Sequence, residues 1–196
     1  MHSTLPLPAA LPRRGGPLTR AFGRAVLRLA GWRLEGSIPD RPKIVVIAAP
    51  HRSNWDFVIG IAGKFALGVE VAWLGKHTLF RGPVGWLFRR WGGVPVDRRT
   101  PQATVATAIE RFAHADRMVL ALAPEGTRKA VEWKTGFWHI AHGAGVPIVP
   151  VAFDWDARAI RFMTAVEPTE LAADMARLRE QYRGVRGRGD RAAPSA

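Results

Sequence analysis

Residues 43–57 read KIVVIAAPHRSNWDF. The run after Lys43 is apolar and rich in β-branched side chains, which describes a strand buried on both faces inside a parallel sheet. Pro50 discourages helix before it, Ser53 or Asn54 is a good N-cap, and apolar periodicity resumes at Phe57. The stretch is therefore strand, polar turn and helix in immediate succession.

The same grammar recurs along the chain. Short apolar runs, VEVAWL (69–74), GVPV (93–96), RMVLALA (117–123) and VPIVPVAF (146–153), alternate with helical patterns starting near Asp56, Pro83, Thr100 and Thr135. Such alternation predicts an α/β fold, a single domain with a largely parallel twisted sheet covered by helices. Pro95 marks GVPV as an edge or irregular strand, because proline cannot donate to a ladder. Four runs end directly in polar clusters: HRSNWD, KHTLF, DRR and EGTRK. Parallel strands would place all four at the carboxyl edge of the sheet, where open α/β folds build ligand sites. One cleft is then expected to collect His51, Asp56, Lys76, Arg98, Glu125 and Arg128.

Outside this core, residues 1–17 are rich in proline and glycine and read as a flexible N-terminal segment. The domain proper is expected over 18–183, and the Gly/Arg-rich residues 184–196 read as a disordered tail. Within TRAFGRAVLRLAGW (19–32), Phe22, Val26, Leu29 and Ala30 recur at helical spacing opposite Arg20, Arg24 and Arg28. That pattern fits a basic amphipathic helix on anionic lipid, or equally a helix packed on the domain with solvated arginines.

Composition narrows the partners. The chain has 29 Lys and Arg against 16 Asp and Glu, a formal net charge of +13, together with 8 tryptophans. Basicity combined with many indoles points to nucleic acid, an anionic membrane surface or phosphorylated substrates. Absence of cysteine excludes disulfides, a thiolate nucleophile and Cys-ligated metal. The apolar stretch 57–75 is interrupted by Lys64 and Glu70, too early for a spanning helix, and the N-terminus has no signal-peptide core. The expectation is a soluble or peripheral cytoplasmic protein.

His51 and Asp56 lie five apart, which in one continuous helix separates them by roughly 140° around the axis. They can meet only if His51 precedes the helix, the arrangement that Pro50 and the Ser53 cap favour. Asp56 would then sit in the first turn, where the helix dipole favours an anionic side chain. A histidine held by a carboxylate through one nitrogen presents the other as a base. Ser53-x-x-Asp56 also fits a capping box, and the spacing alone serves both readings. In APEGTRK (123–129), Gly126 permits a tight turn, Thr127 offers a hydroxyl and Arg128 a phosphate-gripping fork, although PEGT also fits an ordinary surface turn.

Taken in order and at these separations, HRSNWD, GGVPVDR, PEGTR and VPIVPV resemble the four blocks of the glycerolipid acyltransferase family, over about Gly31 to Phe153. The resemblance implies a glycerol-3-phosphate acyltransferase-like fold and direct acyl transfer from a thioester. It makes His51 the general base and Asp56 its orienting partner. It gives Arg98, Glu125, Gly126, Thr127 and Arg128, with Lys76 beside them, to the phosphorylated acceptor, and Pro147 and Pro150 to the acyl-donor side. It further implies acyl-CoA or acyl-carrier protein as co-substrate, a lysophospholipid such as 1-acyl-sn-glycerol-3-phosphate as acceptor, and no cofactor. The protein would sit peripherally on the inner face of the cell membrane. Ala123 and the PVDR form of the second block depart from common family residues, which leaves another lysolipid, for example lyso-ornithine lipid, open as acceptor.

Against this stand two readings from another class, a non-catalytic basic protein on nucleic acid or on anionic membrane. No stacking-aromatic block accompanies the scattered basic residues, so nucleic acid is not expected. His139 and His142 are spaced for one helix face but have no evident third ligand, and no metal is expected; His77 and His114 read as solvated or packing residues. Most tryptophans read as core, while Trp86 and Trp91, flanking Phe88, Arg89 and Arg90, suit a membrane interface.

Overall fold

The computed structural model describes residues 5–97, 99–126 and 132–190. Helix α1 (Pro17–Leu29) is followed by β1 (Arg33–Gly36), β2 (Lys43–Ala49), α2 (Asn54–Leu67) and β3 (Ala72–Lys76). A 3-10 turn (His77–Phe80) leads to α3 (Gly82–Arg90), β4 (Gly93–Val96), α4 (Pro101–His114) and β5 (Met118–Leu122). The chain continues through α5 (Gly136–Ala144), β6 (Ile148–Asp154), β7 (Ala159–Phe162) and α6 (Leu171–Gln181).

The strands form one sheet of seven in the order β1-β7-β6-β2-β5-β3-β4. β2 pairs in parallel with β5 and β6, β3 with β5 and β4, and β1 with β7, while β6 and β7 are antiparallel. The run KIVVIAA takes the central place, and its alternation divides between two cores. Val45 and Ile47 face Phe112, Phe137, Leu120 and Leu178, under α4, α5 and α6. Ile44 faces Ile59, Leu67, Val151 and Phe153, under α2. Burial on both faces is why the run carries no polar alternation, and each such side chain contributes about 1.5–3 kcal/mol.

β4, with Pro95, lies at the edge. Pro150 does not follow that rule, for β6 sits between β7 and β2. The Tyr182 hydroxyl bridges the two strands there, accepting from Val151 N–H at 3.0 Å and donating to Ile47 O at 2.9 Å. A side chain thus completes a ladder beside a residue that has no N–H to give.

Two segments pack more firmly than their composition implies. Leu5 and Leu11, within the segment expected to be flexible, are buried in the core beneath α2, and Glu70 N–H donates to Pro12 O at 2.8 Å. That pairing occupies Val69 and Glu70, which is why β3 begins at Ala72 rather than Val69. At the other end Gly187 is buried, and Trp155 N–H donates to Arg186 O at 3.0 Å; residues 191–196 lie outside the described residues.

α1 packs on α2 through Gly23 and Leu27 rather than through Phe22 and Leu29. A Cβ on Gly23 would lie 2.3 Å from Ala66 N, so the glycine sets how closely the two backbones meet. Leu18, Phe22 and Leu29 are left exposed. No helix among the described residues is long and apolar enough to cross a membrane.

Candidate active site

The carboxyl ends of β2, β3, β4 and β5 fall on one edge, as the alternation of runs and clusters implies. Immediately after β2, Ser53 caps α2: its hydroxyl accepts from Trp55 N–H at 3.2 Å, and its own N–H donates to Asp56 Oδ2 at 2.6 Å. The capping box therefore exists, and it places Asp56 in the first turn, fully buried.

His51 stands before the helix and turns Nδ1 toward the same oxygen, 3.7 Å away. This is beyond hydrogen-bond reach, and closing about 0.7 Å would bring it into range. Such pairs commonly tighten only when substrate is bound. The other oxygen, Asp56 Oδ1, accepts from Trp155 Nε1–H at 2.7 Å. The helix cap and His51 thus meet at one carboxylate.

Glu125, in the turn after β5, is buried, and its Oε1 accepts from His51 N–H at 3.2 Å. Burial pushes this carboxyl above its ordinary 4.5. Its Oε2 is enclosed with no hydrogen-bond partner among the described residues. Through this bond Glu125 ties the loop carrying His51 to the turn after β5. Gly126 adopts φ +68°, which makes that turn possible.

A cleft of about 1910 Å³ opens at this edge. His51, Arg52, Asp56, Lys76, Gly126 and Lys134 line it near the strand ends. Arg99 forks onto the Asp97 carboxylate there and holds it at about 2. Because α2 runs back along the sheet, Ile61, Val71, Val151 and Phe153 extend an apolar lining inward as far as Leu67 and Leu11. Lys64 lines it too, its ammonium bonded to the carbonyls of Val71 and Trp91, with burial lowering it to about 8. The volume exceeds the roughly 300–1,000 Å³ usual for small-molecule sites.

Of the residues singled out in sequence, His51, Asp56, Lys76, Glu125 and Gly126 gather here. Arg98, Thr127 and Arg128 lie outside the described residues. Pro147 and Pro150 are buried within the sheet and do not line the cleft; Pro147 precedes β6 at the opposite edge. Trp155 is the contributor that sequence reading placed in the core. Its one available signal is position, just past the end of a central strand at the same edge. Among the described residues no cluster of three His, Asp or Glu could hold a metal; His142 stacks on Trp138 at 4.6 Å.

A family model described as Acyltransferase matches residues 34–154. The chain is 30% identical over 150 residues to the 1-acyl-sn-glycerol-3-phosphate acyltransferase of Streptococcus pneumoniae, covering 71% of this chain and 55% of that protein. It is 31% identical to the enzymes of the same name from Haemophilus influenzae and Escherichia coli, covering 71% of this chain and 61% and 60% of theirs. The chain thus spans less than two thirds of the length of these relatives. The crystal structure of the 1-acyl-sn-glycerophosphate (LPA) acyltransferase PlsC from Thermotoga maritima shares the fold, with TM-score 0.63 and 22% identity over 90% of this chain and 80% of that one. With the match covering more than half of its residues, the chain belongs to the acyltransferase family.

Proposed function

We propose that the protein transfers a fatty acyl group from acyl-CoA or acyl-carrier protein to the free hydroxyl of 1-acyl-sn-glycerol-3-phosphate, giving phosphatidic acid. The observation that carries this reading is the His51–Asp56 pair on a long, mainly apolar cleft, in a chain whose relatives are named for that acceptor. His51 takes the hydroxyl proton through Nε2 as the acceptor oxygen attacks the thioester carbonyl carbon. Asp56 stabilises the imidazolium at Nδ1, in the way a triad aspartate does. The tetrahedral intermediate collapses with loss of the C–S bond, and the departing thiolate recovers the proton. No acyl-enzyme forms, in keeping with a chain without cysteine. Arg52, Lys76 and Lys134 give the cleft the charge to hold a phosphate, and Arg98, Thr127 and Arg128 are proposed for the same task.

The test is an acceptor panel read by mass spectrometry, offering lysophosphatidic acid, glycerol-3-phosphate, lyso-ornithine lipid and other lysophospholipids with acyl-CoA or acyl-carrier protein. Phosphatidic acid is the expected dominant product. Preference for lyso-ornithine lipid would move the acceptor within the same chemistry, and transfer to none of them would sink the reading.

Peripheral binding to an anionic membrane belongs to the same proposal. Val58 and Leu79 are exposed and line the cleft, while Leu18, Phe22 and Leu29 on α1 and Val84 and Trp86 on α3 add exposed apolar surface beside Arg24, Arg28, Arg89 and Arg90. Trp91 instead packs against Phe65 and Phe88. Each basic side chain near an anionic surface is worth about 1 kcal/mol, screened by salt. Phe22→Asp combined with Trp86→Asp is expected to lower flotation with phosphatidylglycerol vesicles by about tenfold or more. Unaltered flotation of the double variant would count against this surface.

A further inference from the structure

Asp56 is fully buried, and its two oxygens are held from different directions. Oδ2 takes the cap N–H of Ser53 and faces His51, whereas Oδ1 takes the indole N–H of Trp155, 99 positions later in the chain. The terminal torsion of an aspartate is soft, so one hydrogen bond does not fix the plane of its carboxylate. A second, on the opposite oxygen, does. Indole N–H is a donor only, so it can hold the carboxylate and cannot compete with it for the histidine.

Trp155 is itself enclosed. Trp32 meets it edge-on at 5.0 Å, and Arg158 and Arg188 lie 5.8 and 5.1 Å from its ring centroid. The Arg188 guanidinium also lies 5.4 Å from Trp55, in the first turn of α2, so one cation spans both indoles. Main-chain N–H of Trp155 donates to Arg186 O. Gly187 is pressed on the loop that carries His51: a Cβ there would come within 2.8 Å of Arg52 Cγ and 3.1 Å of Pro50 Cγ. Gly187 N–H in turn donates to Asp190 Oδ2 at 2.7 Å, which closes the segment into a turn.

We propose that Trp155 is a positioning residue for the His51–Asp56 pair, and that residues 186–190 form the clamp that keeps its indole on Asp56. The proposal rests on the acyl-transfer reading for its kinetic consequences, and on geometry alone for its effect on His51. Trp155→Phe keeps an aromatic ring at the site while removing the N–H together with part of the indole's volume. Expected is a kcat lowered about ten- to a hundredfold with KM for donor and acceptor within about twofold.

The deciding measurement follows the His51 imidazole by NMR as pH is varied, in wild type, Trp155→Phe, Asp56→Asn and the double variant. Trp155→Phe is expected to move the His51 midpoint toward that of Asp56→Asn, and to add nothing in the Asp56→Asn background. A folded Trp155→Phe protein with the wild-type midpoint overturns the proposal, as does an equal displacement in both backgrounds. Arg188→Ala, an exposed substitution, supplies a second variant should Trp155→Phe fail to fold. It is expected to produce a smaller displacement of the same sign, and none would overturn the clamp. If the wild type transfers acyl groups to no acceptor, the acyl-transfer reading fails while the His51 titration still decides the positioning role.

Discussion

His51→Ala is expected to lower acyl transfer by about a hundred- to ten-thousandfold while the protein remains folded. General-base catalysis contributes about 10²–10⁴ in rate, and the Trp155 indole, which also stands on the buried carboxylate, is a donor and cannot take a proton in its place. Structure is expected to survive, because a main-chain tie of this loop is retained: the His51 N–H donates to Glu125 Oε1, and alanine keeps that N–H. The His51 side chain is also about 30% exposed, so its removal opens no enclosed cavity. Turnover measured with lysophosphatidic acid and acyl-CoA, beside thermal melts of both proteins, checks the two halves together. A folded variant with undiminished turnover would remove His51 from the mechanism.

Local chemistry was legible wherever a few adjacent residues decide it. Pro50, Ser53 and Asp56 are enough to start α2 and turn His51 out before it, and the four polar clusters are enough to place one edge of the sheet. β1 and β7 each have four residues, too short for a period to show, and they pair along their whole length from Arg33–Ala159 to Gly36–Phe162, where the glycine leaves room for the Phe162 carbonyl. Leu5 and Leu11 were hidden by the prolines around them: those residues do prevent regular structure, but irregular chain can still bury leucine. Proline as an edge signal held for Pro95 and failed for Pro150, since Tyr182 reaches the ladder from another element. The hold of Trp155 on Asp56 and the hold of Glu125 on His51 N–H are long-range, with no local pattern to mark them. What escaped the sequence is therefore the outer support of the site rather than the approach of His51 to Asp56.

Ser53→Ala and Asp56→Asn are expected to separate what the sequence left joined. Ser53→Ala removes the hydroxyl that accepts from Trp55 N–H but keeps the Ser53 N–H that donates to Asp56. Loss of an N-cap costs about 0.5–2 kcal/mol, and turnover should stay within a few-fold because both bonds on the carboxylate survive. Asp56→Asn acts the other way. Its amide offers one oxygen for two buried donors, Ser53 N–H and Trp155 Nε1–H, so whichever way it turns, an NH₂ group meets a donor. Leaving a buried donor unsatisfied costs about 1–3 kcal/mol, and an amide cannot stabilise an imidazolium as a carboxylate does. Replacement of the corresponding aspartate in a serine protease triad costs about 10⁴ in kcat, and a loss of about 10²–10⁴ is expected here. Urea unfolding and turnover of the two variants check this. Equal losses of activity would mean that the carboxylate serves the helix and not the histidine; a folded but less stable, inactive Asp56→Asn beside an active Ser53→Ala would mean that α2 is started by the same group that readies His51 for the acceptor hydroxyl.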